Sequence, residues 1–191
     1  MGAAKRKYDE ARAKFLAEIE VWTQPPTDEE RRTVAEIEKL PFVTIKRIEP
    51  HILDYMGMQP QQCHENAGQY VKMAPPDQNY TAVTGWWRIG DTYVAHSVIA
   101  NADGDMACIT PHPITNTEID FAPDPRIIWS EDGEYMRAAM ADGTKVPQLL
   151  RSNPERVIAH QMKIKGRLES GMNPFHAVQL EYVMDDQESH K

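Results

Sequence analysis

The feature that most limits the possible folds is a pair of strand-like segments joined by a two-residue turn. Residues 80–90 ("YTAVTGWWRIG") and 92–100 ("TYVAHSVIA") are rich in β-branched and aromatic residues, and Gly90-Asp91 is typical of a tight hairpin turn. A second turn at 101–104 leads into a third candidate strand at 105–110 ("DMACIT"). These segments predict an antiparallel meander.

Helical segments precede and follow this meander. Region 3–21 is rich in helix formers with apolar residues at helical spacing, and Thr27 begins a second such segment. Residues 41–48 ("PFVTIKRI") are typical of a strand or an extended arm, and a helix is expected from about Cys63 to Met73.

The rest of the chain is expected to be a loop followed by helices. Region 111–132 carries four prolines and is predicted to be an ordered loop. Asn153-Pro154 and Asn173-Pro174 each place an N-cap residue before a proline, which predicts two helix starts. This order of elements predicts an α+β fold.

Length, charge and cysteine content limit the function classes. The 191 residues suffice for one core, so we expect a single domain with an N-terminal helical extension (1–50), a core (51–132) and C-terminal helices (133–191). A net charge of −8 argues against nucleic acid as a partner, and no apolar run is long enough for a membrane span. Two cysteines cannot form a disulfide framework, so a cytoplasmic setting is expected. An oligomer is possible.

One cysteine lies in segment 59–67 ("QPQQCHENA"), at the start of an expected helix. A thiol attacks well only as a thiolate, and its pKa falls at a helix N-terminus or beside an imidazolium. His96 is the expected base, because burying a histidine on an apolar strand face is costly unless it has a role there. His64 is the poorer partner, since adjacent helical side chains diverge by about 100°. Gln61 and Gln62 are candidate donors to an oxyanion.

The block "CHENA…GWW…HSVI…ITP" resembles the papain-like cysteine hydrolases, which include transglutaminase-like and cell-wall-peptidase branches. It is similar to small bacterial and phage proteins of this kind, and the resemblance covers roughly residues 59–111. It implies a papain-like core at 51–132, in which one helix packs on an antiparallel sheet. It also implies Cys63 as nucleophile, His96 as general base, a residue that orients the imidazole, and no cofactor.

The third member of a triad is the point at which the chain departs from this pattern. The position immediately before Ile109, where an aspartate is expected, is occupied by Cys108. Asp105 is a candidate on the same strand, although a regular strand would turn it to the opposite face. Further candidates are Asp103, Asp120 and Asp124. A dyad or an impaired enzyme are the other options.

Adjacent tryptophans in the second candidate strand predict a substrate surface. Trp86 and Trp87 point to opposite faces of a regular strand. We expect one of them to face solvent or a groove, as the wall of a cleft, unless a second core layer covers it. His64 and Asn66 are further candidate substrate-binding residues.

Two simpler interpretations use the same residues. Cys63 and Cys108 are small enough to be core residues, and His96 can be a core histidine bonded to a carbonyl. A zinc site would join Cys63, His64, His96, Cys108 and His112. The paired short spacings that zinc sites use are not found among them.

The sequence therefore favours a cysteine hydrolase or acyltransferase acting on an amide, peptide or isopeptide bond. The expected partners are a peptide or protein substrate or a small amide. The alternative is a catalytically inactive papain-like protein that sequesters a partner or small ligand. A metal-binding regulator is a third, weaker hypothesis.

Overall fold

The computed structural model describes residues 3–112, 116–132, 135–140, 143–147 and 149–178. They divide into two compact units, one formed by 3–27 with 153–178 and the other by the described residues of 28–152. The helices are α1 (Ala3–Trp22), α2 (Asp28–Ile37), α3 (Pro50–Tyr55), α4 (Cys63–Met73) and α5 (Pro154–Glu169). The strands are β1 (Val43–Arg47), β2 (Thr81–Ile89), β3 (Thr92–Ala100), β4 (Met106–Cys108), β5 (Glu118–Pro123), β6 (Ile127–Asp132) and β7 (Tyr135–Met140). The predicted α+β class is confirmed.

A closed barrel of five strands is the centre of the larger unit. The strand order is β1-β4-β3-β2-β5, and β5 pairs with β1 to close the barrel. The predicted meander is present as β2, β3 and β4. β1 lies parallel to β4 and antiparallel to β5. The segment predicted to be an extension before the core therefore contributes a barrel strand.

The barrel has a packed interior and covered outer faces. Alternating side chains from all five strands fill the interior: Ile45, Trp87, Val98, Cys108, Ile119 and Phe121. On the opposite side, Ile99 of β3 and Ile109, the residue after β4, pack with Ala67 of α4. This alternation places α4 outside the barrel, against β3.

Both tryptophans of β2 are buried, so neither faces solvent, although Trp87 lines a groove. Trp87 lies inside the barrel. Trp86 points outward but is covered by Val34 and Ile37 of α2. Two covered faces explain why consecutive tryptophans are both core residues.

The region after β4 differs most from prediction. The expected loop 111–132 contains β5 and β6, and the expected helical segment 133–191 begins with β7, which pairs with β6. Four prolines suggested a loop, but Ile119 and Phe121 alternate into the barrel. Pro123 ends β5, where it pairs with Gly85.

The smaller unit consists of helices. Ile19 of α1 packs with Ile164 and Leu168 of α5. Asn153 caps α5, because its side chain accepts a hydrogen bond from the N–H of Arg156. The predicted helix start at 173–174 is present, and residues 174–178 are helical. None of the helices in the described ranges is long and apolar enough to cross a membrane.

Candidate functional site

Cys63 is the first residue of α4, as predicted, and is buried. Burial raises the pKa of its thiol to about 11. The backbone N–H of Ser97 in β3 and that of His64 point at the sulfur and lower this pKa, but they do not offset the desolvation. The thiol is therefore neutral at pH 7 in this arrangement.

The turn before α4 is held from within the helix. Asn66 accepts a hydrogen bond from the N–H of Gln59 at 2.9 Å and donates one to the Gln59 carbonyl at 2.7 Å. Gln61 has a φ of 64°, and Gln62 makes no side-chain capping bond to α4. Both glutamines are exposed. Asn66 is 2% exposed, so it supports the turn and does not line a substrate surface as expected.

His64 has defined partners of its own. Its Nδ1 lies 3.3 Å from the hydroxyl of Ser97, and its ring stacks on Trp129 with centroids 5.2 Å apart. Burial lowers the pKa of His64. The ring is thus fixed against β3 and β6 beside Cys63.

His96 lies inside the barrel and is 3% exposed. Its Nε2 is 3.3 Å from the sulfur of Cys108 on β4, and its ring contacts Trp87 at 5.3 Å and Phe121 at 6.4 Å between centroids. Burial, together with the charges of Arg47 and His112, lowers the pKa of His96 to about 3. Its imidazole is therefore neutral at pH 7.

Among the described residues, the predicted direct pair of Cys63 and His96 is not formed. Cys63 approaches the backbone N–H of Ser97, one peptide bond from His96. The imidazole of His96 lies on the barrel side of β3, and no hydrogen bond joins it to Cys63 among the described residues. The pKa of each group also moves in the direction that opposes a thiolate–imidazolium pair.

Burial of neutral His96 makes the stability of the barrel unit depend on pH. Between about pH 6.5 and 3 the unfolded histidine binds a proton that the folded one does not, so stability falls as pH falls. Lowering the pH from 8 to 5 should therefore remove about 2 kcal/mol through this residue. Urea unfolding of the wild type and His96→Gln at both pH values measures it.

The control for this prediction is His51→Gln, which removes a histidine with a side chain 75% exposed. This variant should lose stability between pH 8 and 5 as the wild type does. His96→Gln should lose about 2 kcal/mol less than the wild type over that interval. An equal loss in His96→Gln and the wild type would mean that His96 is not the titrating group.

Cys108 takes the position expected for the residue that orients the imidazole. It is 0% exposed, and burial raises the pKa of its thiol. The N–H of Thr110 and the guanidinium of Arg47 lower that pKa. Arg47 also lies over the ring of Trp87, 5.1 Å from its centroid. Arg47 is a member of this cluster that the sequence did not identify.

The aspartates considered as orienting residues lie elsewhere. Asp105 is exposed in the turn before β4, where its N–H donates to the side chain of Asn101 at 2.8 Å. Asp103 binds Asn101 in the same turn. Asp120 forms an ion pair with Arg88 at 2.9 Å. Asp105 is therefore not the partner of His96, and that assignment is corrected.

Asp124 is a buried carboxylate with a structural role. It is 1% exposed and accepts hydrogen bonds from the indole N–H of Trp86 and from Arg126, each at 2.9 Å. Burial alone would raise its pKa, but the bonds from Arg126 and Trp86 outweigh burial and lower it. Asp124 thus anchors Trp86 to the segment between β5 and β6.

A groove of about 400 Å³ opens beside Trp87. Its lining combines apolar side chains with charged and polar ones: Thr44, Trp87, Arg88, Ile89, Gly90, Asn116, Glu118, Ile119 and Asp120. Trp87 thus joins this groove to the ring of His96. Trp86, His64 and Asn66, the other candidate substrate-binding residues, are not part of its lining.

Three residues around Cys63 and His96 escaped sequence reasoning. Ser97 could have been found from the sequence, because it follows His96 in the strand and its side chain therefore points to the other face. Trp129 had none, since its segment was predicted to be a loop. Arg47 lies in the correctly predicted β1, but nothing in the sequence paired β1 with β4.

The described residues contain no group of three His, Cys, Asp or Glu side chains arranged to hold a metal ion. In the comparisons with known proteins, no family model, curated protein or solved structure matches the chain.

Proposed function

We propose that the chain is a papain-like cysteine hydrolase or acyltransferase that acts on an amide, peptide or isopeptide bond. Cys63 is the nucleophile and His96 the general base, and Cys108 orients the imidazole. The N–H groups at the start of α4, with Gln61 or Gln62, stabilise the oxyanion. The observation that carries the proposal is the 3.3 Å contact between His96 Nε2 and Cys108, on the strand next to His96.

In this proposal, Nδ1 is the nitrogen that acts. If Nε2–H donates to the sulfur of Cys108, Nδ1 is left unprotonated and is the acceptor for a thiol proton. Cys63 meets β3 at the N–H of Ser97, one peptide bond away. Because the imidazole lies on the barrel side of β3 and α4 lies outside, the proposal requires the His96 ring and the α4 N-terminus to approach each other at the end of β4 when substrate binds.

The chemistry follows from two groups that are neutral at rest. As the sulfur of Cys63 bonds to the substrate carbonyl carbon, His96 accepts the thiol proton. The imidazolium returns this proton to the leaving amine when the carbon–nitrogen bond breaks, which leaves a thioester on Cys63. Water then releases the acyl group as an acid, or an amine takes it in acyl transfer. In both cases His96 accepts the proton of the attacking group and gives it to the departing sulfur.

The second candidate is a non-catalytic papain-like protein that binds a partner or small ligand. It is favoured by the raised pKa of Cys63, about 11, and the lowered pKa of His96, about 3. The groove beside Trp87, with its mixed apolar and charged lining, would then be the binding surface. In the enzyme proposal this groove holds part of a peptide substrate.

Acylation by an activated ester separates the two candidates. With p-nitrophenyl acetate, the enzyme should release p-nitrophenolate in a burst and carry one acetyl group on Cys63, located by peptide mass spectrometry. The rate should exceed that of a small thiol of matched pKa by about 100-fold or more, since a positioned base contributes that much. Cys63→Ala should show no burst, and His96→Gln should react at the rate of the matched thiol.

Two results would contradict the enzyme proposal. One is acylation of Cys63 no faster than the matched thiol, and the other is acetyl label on Cys108. Either would leave the binding protein as the better account. A reducing, cytoplasmic setting belongs to the enzyme proposal, because the reaction needs Cys63 as a free thiol, and both cysteines are free.

A further inference from the structure

We propose that Asn66 is a positioning residue that fixes the turn before Cys63 and so sets the direction of the thiol. This proposal rests on the function proposed above and adds to it the residue that assembles the nucleophile. Asn66 lies three positions after Cys63, in the first turn of α4. It makes no contact with a reacting atom, so its role is exerted through the backbone of the turn.

The side chain of Asn66 makes two hydrogen bonds, of opposite direction, to the backbone of Gln59. The side-chain carbonyl of Asn66 accepts from the N–H of Gln59 at 2.9 Å, and its amide donates to the Gln59 carbonyl at 2.7 Å. The backbone N–H and the backbone carbonyl of Gln59 are therefore both held by the side chain of Asn66. A pair of bonds of this kind fixes both the position and the orientation of the backbone at Gln59.

The segment between this anchor and the thiol is short and contains a left-handed residue. Only Pro60, Gln61 and Gln62 separate Gln59 from Cys63. Gln61 has a φ of 64°, a left-handed conformation that a non-glycine residue adopts at a cost of about 1 kcal/mol or more. An anchor at Gln59 opposes relaxation of this conformation, because both ends of the short turn are then fixed.

Asn66 also contacts the segment that follows β4, the strand that carries Cys108. The amide of Asn66 also lies 3.4 Å from the hydroxyl of Thr110, which is 6% exposed. The N–H of Thr110 in turn approaches the sulfur of Cys108. One buried side chain thus joins the start of the nucleophile helix to the segment that orients His96.

The test measures the rate of Cys63 alkylation and the size of the acylation burst. Loss of a residue with a structural role alone should change both in the same direction. Asn66→Ala should loosen the turn and expose Cys63, so iodoacetamide should alkylate it at least threefold faster at pH 8. The acylation burst with p-nitrophenyl acetate should fall at least tenfold, because the thiol is no longer aimed. Peptide mass spectrometry assigns both products to Cys63, and the unfolded fraction from urea unfolding is subtracted.

Asn101→Ala is the matched control. Asn101 also holds a turn with its side chain, accepting from the N–H groups of Asp103 at 3.0 Å and Asp105 at 2.8 Å. Its loss should leave both readouts at Cys63 unchanged. If Asn66→Ala does not fold, Asn66→Ser replaces it, because serine keeps one hydrogen-bonding group. This variant should also show faster alkylation of Cys63 and a smaller acylation burst.

The outcomes separate this inference from the proposed function. Alkylation and burst that stay unchanged in folded Asn66 variants, or that change in the same direction, would overturn the positioning role. Faster alkylation of Asn66→Ala with no burst in the wild type would support the positioning of the thiol and contradict the hydrolase.

Discussion

Gly85→Ala should destabilise the barrel unit by about 3 kcal/mol or more, the upper range for overpacking a core. A Cβ atom at this position of β2 would lie 2.1 Å from the carbonyl oxygen of Ala122 and 2.6 Å from Cζ of Phe121. The oxygen belongs to the backbone of β5, so it cannot move without disturbing the β2–β5 pairing. Urea unfolding followed by tryptophan fluorescence measures the loss.

Gly68→Ala is the matched control for this substitution. Gly68 lies inside α4, and a Cβ atom there would meet nothing within 4 Å. Alanine is the better helix former, so this variant should gain about 0.5–1 kcal/mol. A Gly85→Ala midpoint equal to that of the wild type would show that β2 and β5 are not packed as closely as described.

Arg151→Met should also cost about 3–5 kcal/mol, the range for breaking a buried ion pair by removing one partner. Arg151 and Glu30 are 1% and 3% exposed. The guanidinium donates to both carboxylate oxygens of Glu30 at 2.8 Å, from Nε and from Nη2. Without Arg151 the carboxylate of Glu30 would lose its charged partner in a site closed to water. The shift of the urea midpoint measures the cost.

Two further variants test whether the uncompensated charge is the cause. Arg88→Met breaks the pair with Asp120, whose side chains are 43% and 40% exposed, and should cost less than about 1 kcal/mol. The double variant Glu30→Met/Arg151→Met should regain much of the loss, since apolar residues of similar volume often replace a buried pair at little cost. If the double variant is as unstable as Arg151→Met, the loss of stability comes from packing and not from the uncompensated charge of Glu30.

Local sequence signals predicted the elements around the site well. The Gly90-Asp91 turn, the helix beginning at Cys63 and the strand at 41–48 are all present. Each depends on neighbouring residues, on turn chemistry or on hydrophobic period, which a single sequence contains.

The partners of these elements could not be predicted in the same way. Closure of the barrel depends on pairing of β1 with β4 and β5, and no local pattern encodes such distant register. Closure also explains why Trp87 is buried and why Arg47 reaches the site, whereas Trp86 is buried by packing of α2 on the outside of the barrel. The position of His96 inside the barrel, with its Nε2 at Cys108, follows from the same closure.

The buried pair of Glu30 and Arg151 has a consequence for the order in which the chain folds. Its members are 121 residues apart, so most of the chain must leave the ribosome before Glu30 can meet its cation. Until then, closing this part of the core would bury a lone carboxylate, which is strongly unfavourable. The pair therefore delays final packing of α2 until synthesis has passed Arg151, and nascent chains that end before it should remain open to protease.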